Sequence, residues 1–268
     1  MAVPKSSATA TRVFRRGQGQ RGQRNEVLSG RWWGFASINP HCNRHFYSRT
    51  ETLVFDERGT VQFLVPDLIL STTLKEDDNN DLTFEETWAT SDYWFQSNNS
   101  APTQHWGGLY TALKACAEGN KADGFASGEQ NFQIIGVWGY GQYSEGSGTD
   151  LNGASMDTSK TTVVVDDGTQ LEIGQTALIG TLQMRVTGIS GSDLTVTRAM
   201  NGSSAVAHAD NSDINILRWP ASVERAALVQ TAKIWPSSAD FEPCFVDTDI
   251  DTDTDVRIFL EPYRKTAA

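Results

Sequence analysis

The stretch Trp219–Trp235 constrains this chain most, because it carries the clearest helical periodicity in 268 residues. Pro220 and Ser222 open it, where a missing N–H and a capping oxygen are tolerated. Glu224 sits in the first turn, where a negative charge suits the helix dipole. Val223, Ala226, Ala227 and Ile234 share one stripe, with Leu228, Ala232 and Trp235 beside it. Pro236 ends the run. The small residues in its middle allow another helix to approach closely, so the segment reads as a packing hub.

Charge is divided unevenly. Residues 1–25 hold Lys5, Arg12, Arg15, Arg16, Arg21 and Arg24 and no acid. The remainder holds 16 basic residues against 33 acidic ones, a net −17 within a chain total of −11. An acidic body is a poor general DNA-binding surface. It suits a surface that must shed DNA, with a basic arm that grips something acidic. Residues 1–26 are too polar to fold alone. Cys42, Cys116 and Cys244 are too few and too scattered for a disulfide framework and fit a reducing compartment. Residues 1–25 lack the apolar core of a signal peptide, and no apolar run is long enough to span a membrane.

Along the chain, Val27–Asn43 reads as a helix that Pro40 should kink or end. Thr50–Phe55 and Val61–Val65 read as paired strands around a turn at Asp56–Gly59, and an extended apolar run continues from Pro66 to Leu74. Phe84–Trp88, Tyr93–Phe95 and Gln130–Val137 are further strands. Residues 141–160 are rich in Gly and Ser and read as a linker. Short strands at Thr161–Val165, Ala177–Ile179, Met184–Ile189, Leu194–Arg198 and Asp213–Leu217 then make an all-β module over 161–218. A second short helix is expected at Thr254–Pro262. The sum is an α+β fold: a small helical hub with β-hairpins and sheet, built from residues 27–140 and 219–268, plus the all-β module.

Chemistry is sparse. Gly17–Gly22 fits the letters of a dinucleotide fingerprint but has no preceding strand. His41, Cys42 and His45 have no second cluster to complete a tetrahedral metal site. Asp247, Asp249, Asp251, Asp253 and Asp255 alternate with Thr and Ile, but an EF-hand would need Gly and Glu where Thr252 and Ile258 stand. The row reads instead as a solvated or lumen-facing acidic strand. No nucleophile motif or phosphate loop is present. No enzyme activity and no cofactor are therefore expected.

Three segments together resemble the head–tail connector (adaptor) proteins of tailed bacteriophages. The first is Ala36-Ser37 with Arg44-His45-Phe46-Tyr47. The second runs from Leu64-Val65-Pro66-Asp67-Leu68 through Ser71–Lys75 and Asp92-Tyr93 to Ile134–Tyr140. The third is the hub helix followed by Asp255-Val256-Arg257 and Leu260-Glu261-Pro262-Tyr263-Arg264. The module at 161–218 is similar to a small β domain common in phage virion proteins, and the resemblance makes it an insertion. Trp32, Trp33 and Pro40 depart from the family's first helix.

The resemblance implies a virion protein of the neck, made in the host cytoplasm. It implies a homo-oligomeric ring, usually of about twelve copies, between the portal protein and a tail or tail-terminator protein. DNA would pass through its channel transiently and without specificity; no membrane partner is implied. The family's closing segment is similar to one that docks on the portal, which carries that role to Val256, Arg257, Phe259, Leu260, Tyr263 and Arg264. The arm arginines (Arg12, Arg15, Arg16, Arg21 and Arg24) are expected on a neighbouring subunit, and Asp247, Asp249, Asp251 and Asp253 along the channel. The alternatives are a tail-tube, tail-terminator or baseplate protein, a carbohydrate-binding module suggested by the β module and the many Trp, and a hydrolase.

Overall fold

The structure is a computed structural model that describes residues 38–104, 108–153, 156–234 and 254–265. Two antiparallel six-stranded sheets dominate it. The first contains β1 (Arg49–Arg58), β2 (Gln62–Glu76), β3 (Glu86–Thr87), β4 (Tyr93–Gln96), β5 (Tyr110–Ala115) and β6 (Ser127–Trp138), in the order β1-β6-β2-β5-β4 with β3 beside β2. The second contains β7 (Ser144–Asp150), β8 (Thr162–Val164), β9 (Thr176–Ile179), β10 (Leu182–Ser190), β11 (Asp193–Thr197) and β12 (Asp213–Leu217), in the order β7-β12-β9-β10-β11-β8. The helices are minor: α1 (Ala221–Ile234), α2 (Thr254–Leu260), helical residues 38–42 and single 3-10 turns.

This overturns the α+β reading built on a helical hub. The α1 periodicity is the strongest local signal, yet it belongs to the smallest of three apolar clusters among the described residues. The two larger clusters are sheet cores. One gathers Phe63, Trp88, Phe125, Phe132 and Trp138 on the inner face of the first sheet, with the Trp88 and Phe125 rings stacked 4.6 Å apart. The other gathers Val165, Leu182, Met184, Val186 and Leu194 in the second. At about 1.5–3 kcal/mol for each large buried apolar side chain, these cores outweigh the helices.

Alternation accounts for the strands. Along β1, and in β2 from Gln62 to Asp67, successive residues switch between half-buried or buried and exposed, as one-sided sheets require. Leu53, Ile134 and Leu74 fall in register across β1, β6 and β2 and face the core. The apolar run Pro66–Leu74 continues the strand from Gln62–Val65, and both belong to the 15-residue β2. The expected Gly/Ser linker is also corrected. Residues 144–150 form β7, which pairs with β12 and buries the small polar side chains of Ser147 and Thr149. β5 was not anticipated; Lys114 breaks its apolar pattern while Ala112, Leu113 and Ala115 are buried.

The sheets meet at a polar seam. Ser48, just before β1, is 1% exposed and touches Gln183 of β10. Gly202 lies so close to Thr50 that a Cβ there would strike the Thr50 carbonyl oxygen.

Candidate assembly interface

The helical end of the molecule is organised by its small residues. Val223, Ala226 and Ala227 are fully buried against Ile38, Cys42, Phe46, Val256 and Leu260. α1 and α2 run antiparallel: Ser222 shares a 2.8 Å hydroxyl contact with Tyr263, while Arg225 lies 5.2 Å over the Phe259 ring. The start of α1 therefore adjoins the end of α2. Phe46, Tyr140 and Tyr263 pack mutually at 5.4–5.9 Å between ring centres.

Asp67 ties this end to the first sheet. It is 6% exposed and accepts from Arg44 Nη1 at 3.1 Å and from Lys265 Nζ at 3.2 Å. The Lys265 backbone N–H donates to Cys42 O, which fixes the end of the described chain. The Arg44 guanidinium also lies 5.3 Å over the Tyr140 ring, and its Nε is buried without an acceptor. Burial pushes the Cys42 thiol up to about 11 against nearby arginines that lower it, so the thiol is protonated at neutral pH.

Beside these residues opens a cleft of about 250 Å³. Arg44, Asp67 and Tyr140 line one part of it, and Tyr143 and Arg218 another; Pro220 and Pro262 mark the start of α1 and the turn after α2. Arg218 Nε bonds Glu145 at 3.0 Å, and Tyr143 donates to the same carboxylate at 3.2 Å.

The portal-contact set divides in two. Val256 and Leu260 are fully buried in the chain's own helical cluster, so their first role is to hold α2 in place. Phe259 and Tyr263 are half-buried in the contacts above. Arg257 and Arg264 are exposed, and Ile258, which the sequence reading passed over, is 63% exposed. One signal could have marked it: the stripe through Val256 and Leu260 leaves Ile258 on the opposite side of the helix. The arm arginines 12, 15, 16, 21 and 24 and the acidic residues 247, 249, 251 and 253 lie outside the described residues.

Of the many tryptophans that suggest a carbohydrate-binding module, Trp88 and Trp138 are core residues and Trp219 packs on the helical cluster; Trp94 is 52% exposed. Among the described residues, the one acidic group close enough to hold a cation is Asp77, Asp81 and Glu85. Its centre is already used. Asp77 accepts from the backbone N–H groups of Asn79, Asn80, Asp81 and Leu82, which shapes the β2–β3 loop. Burial works against its ionisation, but those four bonds outweigh it and hold the carboxyl below its usual range. No helix among the described residues is long and apolar enough to cross a membrane.

No protein-family model, no curated protein and no solved structure matches this chain.

Proposed function

We propose that the chain is a structural virion protein of a tailed bacteriophage, forming a ring between portal and tail through which DNA passes. One observation carries the reading. The closing helix α2 is locked inward by Val256 and Leu260 and presents Arg257 and Ile258 outward beside the exposed Arg264. An exposed large aliphatic residue between cations, on a helix held rigid from behind, has the chemistry of a docking surface rather than of a core element. The acidic body supports the same reading, since a channel wall of net negative charge repels phosphates. On this reading the portal and a tail or tail-terminator protein are the partners and the virion neck is the location.

The test uses surface variants, because truncation before α2 would remove core residues. Ile258→Asp with Arg257→Glu should leave the melting temperature unchanged and abolish capture by purified portal. Retained capture by the double variant rules the closing helix out as the portal contact.

The two antiparallel sheets favour a second reading, a tail-tube, tail-terminator or baseplate subunit, in which sheets form the assembly wall. β2 and β6 pair over long strands of 15 and 12 residues. A six-fold ring or stacked tube would select it.

A further inference from the structure

We propose that the ring closes by sheet extension: β1 of one copy pairs in parallel with β4 of the next, setting Val54 beside Trp94 of that next copy. The inference rests on the ring reading above and supplies the subunit contact that reading requires.

The first sheet is open where the second is not. β7 and β8 stand at the two ends of the second sheet, and the Leu151–Val165 bridge joins them. Asn152 N–H donates to Val164 O beside it, and Asp166 N–H to Asp150 O. Among the described residues, no strand pairs with the outer edge of β1 or of β4. Proteins blunt such edges with Pro, charge or a bulge. The stretch Thr52-Leu53-Val54-Phe55 has none of these, and the register shift of β1 comes only after Phe55.

Strand direction fits the contact. Each neighbouring pair in the order β1-β6-β2-β5-β4 is antiparallel, so β1 and β4 run the same way. Rotation about an axis along the strands preserves that direction and brings β4 of one copy to β1 of another in parallel, a heterologous contact that can close.

The phase of the free backbone groups fits as well. On β1, Glu51 O accepts from Trp138 Nε1 of β6, and a Cβ on Gly202, outside the sheet, would strike Thr50 O. Odd positions therefore address β6, and Thr52, Val54 and Asp56 address the open edge. On β4, Asp92 O accepts from Cys116 N–H just past β5, so Trp94 addresses β5 and Phe95 the open edge. In a parallel ladder, a residue that points at the partner strand stands opposite one that points away, with both side chains on one face. Val54 opposite Trp94 meets this rule. Phe95 N–H then donates to Val54 O, and Asp56 N–H to Phe95 O.

Side chains agree with that register. Leu53, Phe55, Tyr93 and Phe95 pack on the core, which puts Val54 and Trp94 on the outer face. These two are 43% and 52% exposed, and side by side they form an aromatic–β-branched pair. Phe55 and Phe95 are only half-buried, at the two edges of the aromatic core. In the joint they stand opposite each other, and each covers the other.

The experiment oxidises the full-length chain carrying Val54→Cys and Trp94→Cys, with Cys244→Ser to remove a thiol that could compete, at a concentration where the unsubstituted chain assembles. Cys42 and Cys116 are buried and stay. Neighbouring strands about 4.8 Å apart lie within disulfide reach. Denaturing electrophoresis should show a ladder of covalent multimers in the double variant and none in either single variant. Val54→Pro removes an N–H that faces the open edge and spares the β6 ladder. It should leave the melting temperature within a few degrees and raise the concentration needed for assembly about tenfold or more. Should Val54→Pro unfold, the ladder alone decides. A ring without the ladder, an intrachain disulfide in the double variant, or a ring unmoved by a folded Val54→Pro overturns the contact while the ring reading stands. Disulfide dimers of either single variant show two-fold pairing and overturn both, as does a chain that yields neither ring nor ladder. A ladder from open filaments keeps the contact and removes the ring.

Discussion

Gln183 of β10 donates through Nε2 to both the carbonyl oxygen of Ser48 at 3.1 Å and its hydroxyl at 3.0 Å. The same amide accepts from Asn201 Nδ2 at 2.8 Å, and the Gln183 backbone N–H reaches Ser203 Oγ. Gln183 and Ser48 are almost fully buried. One amide therefore joins the two sheets where the chain enters β1. A polar seam of this kind fixes relative position better than apolar contact does, because a shifted register leaves each group unpaired.

Gln183→Leu keeps the volume and orphans the Ser48 carbonyl and the Asn201 amide. It should cost about 2–4 kcal/mol in urea unfolding. Loss of less than about 0.5 kcal/mol would mean that the seam does not hold the sheets.

The first sheet has its own ionic test. Glu76, 4% exposed, accepts from Trp88 Nε1 and from Lys121, which also pairs with Glu86. Burial lowers the Lys121 pKa, but the bonds to Glu86 and Glu76 outweigh it and raise it overall. Lys121→Met strands Glu76. With Lys121 about a fifth exposed, the loss should be about 2–3 kcal/mol, below the full cost of a broken buried pair. Adding Glu76→Gln should recover part of it, measured by chemical denaturation.

Acid should weaken the protein in two stages. His45 titrates below its ordinary 6.5 because burial, then Arg49, disfavours the charged ring; His208 does so through burial, then Arg198. Below about pH 6.5 the unfolded chain takes up these protons before the folded one, so stability falls as the pH drops. Asp77, Asp157 and Asp167 are held below the ordinary 3.8, so their contribution is present above that value and is lost on further acidification. The melting temperature should fall as the pH drops below about 6.5, and less so in His45→Gln. An identical drop in that variant would contradict the assignment.

The two faces of α2 should separate cleanly. Leu260→Ala should cost about 2–4 kcal/mol of stability through the cavity it leaves. Ile258→Ser should change stability by less than about 0.5 kcal/mol, with its effect confined to partner capture. Differential scanning calorimetry with a pull-down on portal reads both.

Legibility in the sequence followed the strength of local pattern. The α1 stripe through Val223, Ala226 and Ala227 points inward as its spacing indicates. The β module's strands lie within a few residues of where turn glycines and β-branched runs put them. β7 escaped because SEGSGTD has no apolar side to show; it is a strand through its pairing with β12, which no local signal reports. The share of helix and sheet was misjudged for a related reason. Helical periodicity is loud over 14 residues, whereas each strand is faint and the sheets win by number. At the interface, Val256 and Leu260 were legible as one apolar stripe, but whether it faced a partner or the chain's own α1 depends on tertiary packing. The cleft was invisible, since Arg44, Asp67, Tyr140 and Arg218 lie far apart in sequence.

The mass and symmetry of the native particle, from mass photometry with electron-microscopy class averages, test the central claim most directly. The account predicts a closed ring of about twelve copies with a central hole wide enough for duplex DNA, about 20 Å or more. A two-fold dimer, an open filament, or a monomer that stays single even with portal present would contradict it.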